Sequence, residues 1–318
     1  MYVMLCLSAK GVLVPAIDLL ADGSKSILIP AYRLKTIRDE LRVFAQSADL
    51  NGFQHRIIAS QYSLDIPDPG FEVRSVVLLA VPHPLCAIVR LVFSNTVYQC
   101  YGLVPSDFKA AERSLKERLG NWNMAEAQNV PLKRLSVQSG FTTYGRNNVT
   151  YINGFGSCFS LAAYLSDTPC DDCQWQDPRV APQCSTCSIC AKLCPTGAIR
   201  KDRFLVDNER CLSYLNEGDQ PFPPWLDPSV HHTLYDCLLC QMKCPMNRSY
   251  AKKGTENTVE FSELEVQVLL AGRSPQDFSE SLLKKVAYLG LDQWPGAIAK
   301  NVRAILTRPR NSLLEGRA

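Results

Sequence analysis

The sequence predicts an α+β protein with a mixed α/β unit first, a cysteine-rich module next and a short helical segment last. The first part contains apolar, β-branched runs and a helical pattern. The middle contains most of the cysteines, and the end shows the periodicity of leucine-rich helices. The predicted domain boundaries are 1–169, 170–255 and 256–318. A chain of 318 residues with 46% hydrophobic content is long enough to bury a full core in two compact units.

Four stretches rich in β-branched residues predict buried strands in the first part, at 26–30, 55–60, 74–82 and 87–93. A helix is predicted between the first two, because one apolar stripe contains Leu34, Ile37, Leu41 and Phe44. A second helix is predicted from near Ser106, with three inward side chains, Phe108, Leu115 and Leu119. These elements together predict an α/β unit.

The middle of the chain carries two cysteine runs. The first is CSTCSICAKLCP, with Cys184, Cys187, Cys190 and Cys194. This C-x2-C-x2-C-x3-C-P spacing is that of bacterial ferredoxins, in which the fourth Cys serves the other of two 4Fe–4S clusters. The second run is CLLCQMKCP, with Cys237, Cys240 and Cys244. The pattern predicts a ferredoxin-like module that transfers single electrons.

Two such clusters need eight thiolates, and the runs supply seven, so Cys211 between them is the predicted eighth. The crossed arrangement assigns one cluster to Cys184, Cys187, Cys190 and Cys244. It assigns the other to Cys194, Cys211, Cys237 and Cys240. Structural zinc is the alternative for paired C-x2-C motifs, but the third Cys of C-x2-C-x2-C has no place in that geometry.

The sequence around the cysteines predicts further elements. Two short apolar stretches, 196–199 and 204–206, predict a small hairpin over the clusters. The proline-rich stretch 216–232 predicts a loop that runs over the surface or covers a ligand, and His231 and His232 in it are predicted to be solvated. Three helices are predicted after about residue 257. Their apolar positions are Leu264, Val266, Leu269 and Leu270, then Leu282, Leu283, Val286 and Leu289, then Ile298, Val302 and Ile305.

Composition sets limits on partners and compartment. The net charge of +3 is too small to indicate nucleic-acid binding by itself. No run of about 18 apolar residues predicts a membrane span, and the N-terminus lacks the basic region and cleavage site of a signal peptide. Free thiols together with clusters indicate the cytoplasm, with no membrane partner.

The segment SGFTTYGRNNVTYINGFGSCFSLAAYLSDTP (139–169), with CPTGAI, RCLSYLNE and CLLCQMKCPMN after it, resembles the epoxyqueuosine reductase family. Those enzymes depend on cobalamin and two 4Fe–4S clusters and are related to reductive dehalogenases. The resemblance implies a nitroreductase-like fold for the first unit and a bound corrinoid. We expect the lower base of the corrinoid to be displaced, because the sequence contains no D-x-H-x-x-G motif that supplies an axial His. The resemblance also implies corrinoid contacts from Gly140, Gly145, Asn147, Gly156, Ser157 and Phe159.

The chain departs from the family at the catalytic segment. A catalytic Asp precedes the glycine segment in the family, whereas Gln128 or Asn129 stands there in this chain. Neither amide is a credible proton donor at neutral pH. Tyr144 and Arg146 replace an aromatic–Lys arrangement, and we predict Tyr144 as the proton donor, with Arg146 lowering its pKa or binding an anionic group. These departures favour a paralogue that acts on another substrate.

The leading hypothesis is an oxidoreductase in which two 4Fe–4S clusters pass electrons to a base-off corrinoid that reduces an organic substrate, not necessarily epoxyqueuosine. An external donor of the ferredoxin or flavodoxin type supplies the electrons. One alternative is an electron-transfer or corrinoid-reducing protein without substrate chemistry of its own. The other is an epoxyqueuosine reductase that acts on modified tRNA.

Overall fold

A computed structural model of the chain describes residues 6–7, 13–14, 17–62, 68–171, 175–248, 257–292 and 294–309. The chain divides into two compact units. The first unit comprises Met1–His83 and Ser106–Cys187, and the second comprises Pro84–Pro105 and Ser188–Ala318. Residues 84–105, predicted to lie in the first domain, therefore belong to the second unit, and the unit boundary falls inside the first cysteine run.

The strands are β1 (Cys6–Leu7), β2 (Leu13–Val14), β3 (Asp18–Leu19), β4 (Lys25–Pro30), β5 (Ser75–Pro82), β6 (Ala87–Phe93), β7 (Thr96–Gly102), β8 (Met124–Glu126), β9 (Thr143–Tyr144), β10 (Thr150–Tyr151), β11 (Phe159–Ser166) and β12 (Thr258–Phe261). Within the described residues, the α-helices are α1 (Arg33–Phe44), α2 (Gly52–Arg56), α3 (Phe108–Leu119), α4 (Leu132–Gln138), α5 (Ile189–Leu193), α6 (Leu212–Glu217), α7 (Leu239–Met242), α8 (Glu263–Leu270), α9 (Glu280–Tyr288) and α10 (Pro295–Thr307). A π-helix covers Ile57–Gln61.

The first unit is built on a five-stranded sheet with the strand order β3-β4-β5-β11-β8, in which neighbouring strands are antiparallel. The central strand β5 is apolar along its length and its residues 76–80 are fully buried, as expected of a strand covered on both faces. The predicted strands at 26–30 and 74–82 are confirmed. Helix α3 begins at Phe108 because the Asp107 carboxylate accepts from the backbone N–H groups of Lys109 and Ala110.

The strand predicted at 55–60 is wrong. Residues 52–61 are helical, as α2 followed by the π-helix. Asn51 and Gln54 form a reciprocal capping box at the start of α2, in which each side chain accepts from the other residue's backbone N–H. This cap favours a helix that begins at Gly52. The β-branched residues Ile57 and Ile58 then continue the helical conformation in the π-helix.

The second unit contains a three-stranded sheet in which β6 pairs antiparallel with β7 and parallel with β12. The predicted strand at 87–93 is confirmed, but it belongs to this sheet. Ser94 and Asn95 both adopt positive φ, the conformation of a tight hairpin turn, so the chain folds back at once onto β7. The three predicted C-terminal helices are present as α8, α9 and α10, and their apolar sides share one core with the sheet.

The predicted hairpin over the cysteines is wrong, since residues 196–206 form turns without strands. The backbone N–H of Asp207 donates to the carbonyl of Ala198, and their neighbours Ile199 and Val206 pack together. The stretches are too short to extend beyond this contact. In the part of the chain that the structure describes, no helix is long and apolar enough to cross a membrane. The N-terminal segment examined for a signal peptide lies largely outside the described residues.

Candidate iron–sulfur and corrinoid site

Four predicted cluster ligands lie together in the second unit. Cys194 follows α5, Cys211 precedes α6 and Cys240 lies in α7, which packs against α5. Burial raises the pKa of the Cys237 thiol well above its ordinary value, and the other three thiols raise it further. Burial also raises the pKa of the Cys211 thiol, and Cys194 raises it further. Such effects need neighbouring groups, so these four sulfurs lie near one another, and their assignment to the second cluster stays a prediction.

A small apolar cluster packs against this group. It consists of Ala198, Ile199 and Val206, all buried. The cysteines packed against it are Cys190, Cys194, Cys211 and Cys240. An apolar wall of this kind limits access of water to the sulfurs, and solvent exposure is one of the factors that set a cluster's reduction potential.

The other predicted ligand set is divided between the two units. Cys184 and Cys187 lie in the first unit, whereas Cys190 and Cys244 lie in the second. Cys184 is buried and the other three are half-buried. This ligand set stays a prediction from the spacing. Among the described residues, no three His, Cys, Asp or Glu side chains are placed to hold a single metal ion.

Arg146 joins the glycine segment to the first cysteine pair. Its Nε donates to the carbonyl oxygen of Cys187 at 3.0 Å, and its Nη2 donates to that of Cys184 at 2.6 Å and of Ser185 at 3.5 Å. The backbone supports this contact, because the N–H of Ala181 donates to the carbonyl of Tyr144 at 2.7 Å. The guanidinium therefore binds the loop that carries two predicted ligands.

His232 is a neighbour of the second cysteine group that the sequence analysis missed. Its Nε2 lies 3.8 Å from the Sγ of Cys237, and its Nδ1 lies 2.7 Å from the carbonyl oxygen of Val230. His231 and His232 are 5% and 1% exposed, so the prediction that both are solvated is wrong. The ring of His231 packs on Phe222, and Arg308 donates to the His231 carbonyl, which together draw the end of the proline-rich loop inward.

The glycine segment forms tight turns supported by its own side chains. Gly140 has φ +76° directly after α4, and a Cβ there would lie 2.8 Å from Nε2 of Gln176. At Gly145 a Cβ would lie 2.5 Å from both Asn147 Oδ1 and Tyr151 Cε2, so only glycine fits. The Asn147 amide donates to the Tyr151 hydroxyl at 3.0 Å. Gly145 and Asn147 thus shape the hairpin between β9 and β10.

The second half of the segment is equally compact. Gly156 has φ +60° and closes a turn in which its N–H donates to the carbonyl of Ile152. Ser157 and Phe159 are buried, and the ring of Phe159 lies 6.4 Å from that of Phe155. The Lys25 ammonium, whose pKa is lowered by burial, lies 4.7 Å from the centre of the Phe155 ring. The residues predicted to contact a corrinoid therefore lie in a largely buried series of tight turns.

Tyr144 is buried, and burial raises the pKa of its phenol to about 12. The cation that acts on it is Arg134, which lowers the pKa against the larger effect of burial, while Tyr62 raises it. The prediction that Arg146 lowers this pKa is therefore replaced by an Arg134–Tyr144 relationship, because the Arg146 guanidinium is turned to the cysteine loop. Arg134 is fixed by Glu40, whose Oε2 accepts from its Nη2 at 2.6 Å.

Gln128 and Asn129, in the place of the family's catalytic Asp, are both exposed at a turn after β8. Asn129 has φ +57°, as a loop-tip amide tolerates. Nothing in this turn changes the conclusion that its amides are not proton donors.

Two buried polar atoms beside the glycine segment have no hydrogen-bond partner within the described part of the chain. They are Oε1 of Gln138, a residue 1% exposed, and Nε1 of Trp175. Their segments are adjacent, since the N–H of Gln176 donates to the carbonyl of Gln138. A buried unpaired acceptor and donor suit a ligand with amide groups, and the rim of a corrin ring carries such amides. In this respect the residues fit a corrinoid.

Comparison with known proteins finds one matching domain family and several similar individual proteins. Residues 183–247 match a family described as a 4Fe-4S double cluster binding domain. An epoxyqueuosine reductase of Cyclobacterium marinum is 28% identical over 167 residues, which cover 51% of this chain and 53% of that protein. The Escherichia coli epoxyqueuosine reductase is 35% identical over 123 residues, which cover 38% of this chain and 31% of that protein. The chain thus spans about half or less of these relatives' length.

Two solved structures share the fold. The Bacillus subtilis epoxyqueuosine reductase, with its aspartate-bearing catalytic loop swung out of the active site, has a TM-score of 0.57 at 17% identity, covering 89% of this chain and 77% of that one. An epoxyqueuosine reductase with an epoxyqueuosine-modified tRNA stem loop has a TM-score of 0.60 at 18% identity, covering 89% and 76%. At these identities the likeness shows a common mixed helix and strand fold.

Proposed function

We propose that this chain, a member of an epoxyqueuosine reductase-like family, is a 4Fe–4S- and cobalamin-dependent reductase that acts on epoxyqueuosine in tRNA. One observation supports the proposal: Cys194, Cys211, Cys237 and Cys240, the predicted ligands of one cluster, lie near one another in a chain that matches curated epoxyqueuosine reductases. The nitroreductase-like character of the first unit and the cytoplasmic location belong to the same proposal.

The preference for another substrate is not supported by the comparisons. It rested on the amides Gln128 and Asn129 in place of the catalytic Asp. The relatives that match are epoxyqueuosine reductases, and one solved structure that shares the fold holds a modified tRNA stem loop. These matches favour tRNA as the substrate class.

The thiolates of eight cysteines would hold the two clusters. A 4Fe–4S cluster takes up and passes on one electron at a time. The chain's part is to supply the thiolates, to wall the second group with Ala198, Ile199 and Val206, and to fix the loop of the first pair through Arg146. An external donor of the ferredoxin or flavodoxin type would supply the electrons.

The glycine segment would hold the cobalamin. Bound cobalamin supplies a strongly reducing cobalt centre. The turns at Gly140 and Gly156 let backbone approach a flat macrocycle, and the Gln138 and Trp175 side chains offer it an acceptor and a donor. Gly145 and Asn147 act indirectly, by holding the hairpin that presents the backbone.

Tyr144 is the proposed proton donor. With its pKa raised to about 12, the phenol keeps its proton at neutral pH and yields it only to a strongly basic atom. Arg134, braced by Glu40, is placed to stabilise the phenolate that remains. The charge of the guanidinium therefore compensates in part for the burial that raises the pKa.

The direct test is turnover of an epoxyqueuosine-modified tRNA stem loop by protein reconstituted anaerobically with iron, sulfide and cobalamin. An excess of a low-potential chemical reductant supplies the two electrons that each reduction consumes. Nucleosides from the digested stem loop are measured by mass spectrometry, with iron and cobalt contents determined on the same sample. Conversion of epoxyqueuosine to queuosine is the expected result. A fully loaded protein that leaves the stem loop unchanged would overturn the substrate assignment.

A second candidate is an electron-transfer or corrinoid-reducing protein without substrate chemistry. The observation that favours it is the exposed amide turn at Gln128 and Asn129, which offers no acid where the family has one. This function predicts that loaded protein reduces added cob(II)alamin from a chemical donor but does not change the stem loop.

A further inference from the structure

Two arginines contact the loops that carry the predicted cluster ligands, one in each unit. Arg146, in the first unit, donates to the carbonyls of Cys184 and Cys187. Arg210, in the second unit, directly precedes Cys211, and its Nε donates to the carbonyl of Thr196 at 3.2 Å. Thr196 follows Cys194, and its hydroxyl lies 3.7 Å from the Cys194 sulfur.

We propose that Arg146 and Arg210 are positioning residues, each of which holds one cluster's ligand loop and raises the reduction potential of that cluster alone. Arg146 acts on the cluster of Cys184 and Cys187, and Arg210 on that of Cys194 and Cys211. This rests on the two-cluster part of the proposed function and needs neither the corrinoid nor the tRNA.

At both places the charge of the guanidinium favours the reduced state of the cluster. Reduction adds one electron, and so one negative charge, to a thiolate-ligated cluster that is already anionic. A guanidinium hydrogen-bonded to the peptides of the ligand loop stabilises the more negative state. Its planar fork can also bind several carbonyls at once, which a lysine ammonium cannot match in geometry. Loss of either arginine therefore lowers the potential of its own cluster.

The two arginines differ in their surroundings, which predicts unequal effects. Arg146 makes three contacts with one loop and is half-buried. Arg210 is exposed, makes one such contact, and lies 4.5 Å from the centre of the half-exposed Trp225 ring. Water screens the charge of an exposed group, so the effect of Arg210 is the smaller.

The test is an anaerobic redox titration monitored by electron paramagnetic resonance on reconstituted full-length protein. For Arg146→Met we expect the reduction equilibrium constant of one cluster to fall about tenfold, ~59 mV for a one-electron couple, while the other stays constant. For Arg210→Met we expect a fall of about threefold in the other cluster only. Cys211→Ser alters one ligand of the second cluster, so the paramagnetic resonance signal that changes in this variant is assigned to that cluster.

Arg146→Lys separates charge from loop geometry. For this variant we expect the reduction equilibrium constant of the first cluster to stay within about twofold of the wild-type value. We also expect iron to be released faster to a chelator. If Arg146→Met loses iron, loss confined to one cluster supports the positioning role, and loss of both overturns it. Unchanged potentials in both methionine variants, or shifts shared by both clusters, also overturn it. Wild-type protein that binds zinc or only four irons would instead refute the two-cluster assignment itself.

Discussion

The Nε2 atom of His232 lies 3.8 Å from the Sγ of Cys237, and the imidazole is fixed from its other side by the Val230 carbonyl. The carbonyl contact orients the ring, so that a buried imidazole edge forms part of the surroundings of a predicted cluster ligand. Groups of this kind, which touch a ligand without binding the metal, orient the ligand and tune the site. His232 therefore lies beside the predicted cluster site, although the spacing pattern does not contain it.

Replacement of His232 by Ala should destabilise the second cluster. The change removes a fully buried ring and leaves the Val230 carbonyl without its partner, a combined cost of about 2 kcal/mol. We expect faster iron release to a chelator and a lower denaturation midpoint. His55→Ala, which truncates an exposed histidine of α2, is the matched control and should change neither. Equal iron release in both variants would contradict a role for His232 at the site.

Replacement of Cys211 by Ala should remove one cluster and spare the other. Because its thiol is grouped with Cys194 and Cys237, its loss leaves that cluster with three ligands, and iron should fall from about eight to about four per chain. Iron and sulfide analysis after anaerobic reconstitution measures this directly. Cys158→Ala, at a buried cysteine outside both ligand sets, should keep the full iron content.

Replacement of Glu40 by Ala should loosen the first unit. Glu40 accepts from Arg134 and from the Gln138 amide, which donates to Oε1 at 3.0 Å and to Oε2 at 2.8 Å, so it braces α1 against α4. Both ends of its ion pair are less than a third exposed, and we expect a loss of about 1–2 kcal/mol in unfolding free energy. Asp39→Ala removes the exposed Asp39–Arg42 pair instead, and should cost less than about 0.5 kcal/mol.

A double-cluster module could be predicted from the sequence because cubane ligation fixes the spacing of the cysteines, and residues 183–247 match a family of this kind. The contact of His232 with Cys237 could not, because it depends on how the proline-rich loop is drawn inward by Phe222 and Arg308. Histidines in a loop with many prolines give no local signal of burial. The same limit applies to Arg146, whose partners lie in the loop of Cys184 and Cys187, remote along the chain.

Some elements of secondary structure could likewise be predicted from the sequence, and others could not. The central strand 75–82 was predictable because it is buried on both faces and reads as one apolar run. The helix at 55–60 does have a local sequence signal, since Asn51 and Gln54 form the pattern of a capping box ahead of it. The pairing of β6 in a second sheet is harder to predict from the sequence, because its parallel partner β12 is a four-residue strand far along the chain.

Replacement of Tyr144 by Phe should slow reduction of the stem loop while leaving iron content and cobalamin affinity unchanged. Loss of a general acid typically costs about 10²–10⁴ in rate, whereas a phenylalanine ring preserves the packing. Single-turnover rates with prereduced protein isolate the chemical step from electron delivery. Tyr32→Phe, at an exposed tyrosine, is the control and should react at the wild-type rate. Undiminished turnover by Tyr144→Phe would remove this phenol from the mechanism.

The same variant tests the raised pKa through stability. The pKa of Tyr144 is about 12 in the folded chain against an ordinary value of 10.0, so the folded state holds this proton more tightly than the unfolded state. The stabilisation is therefore complete below pH 10 and is lost as the pH rises through about 12. Other tyrosines titrate in this range, so the quantity to measure is the difference in unfolding free energy between wild type and Tyr144→Phe. We expect the wild type to lose its advantage between pH 10 and 12, and a difference that does not change with pH would contradict the buried, protonated phenol.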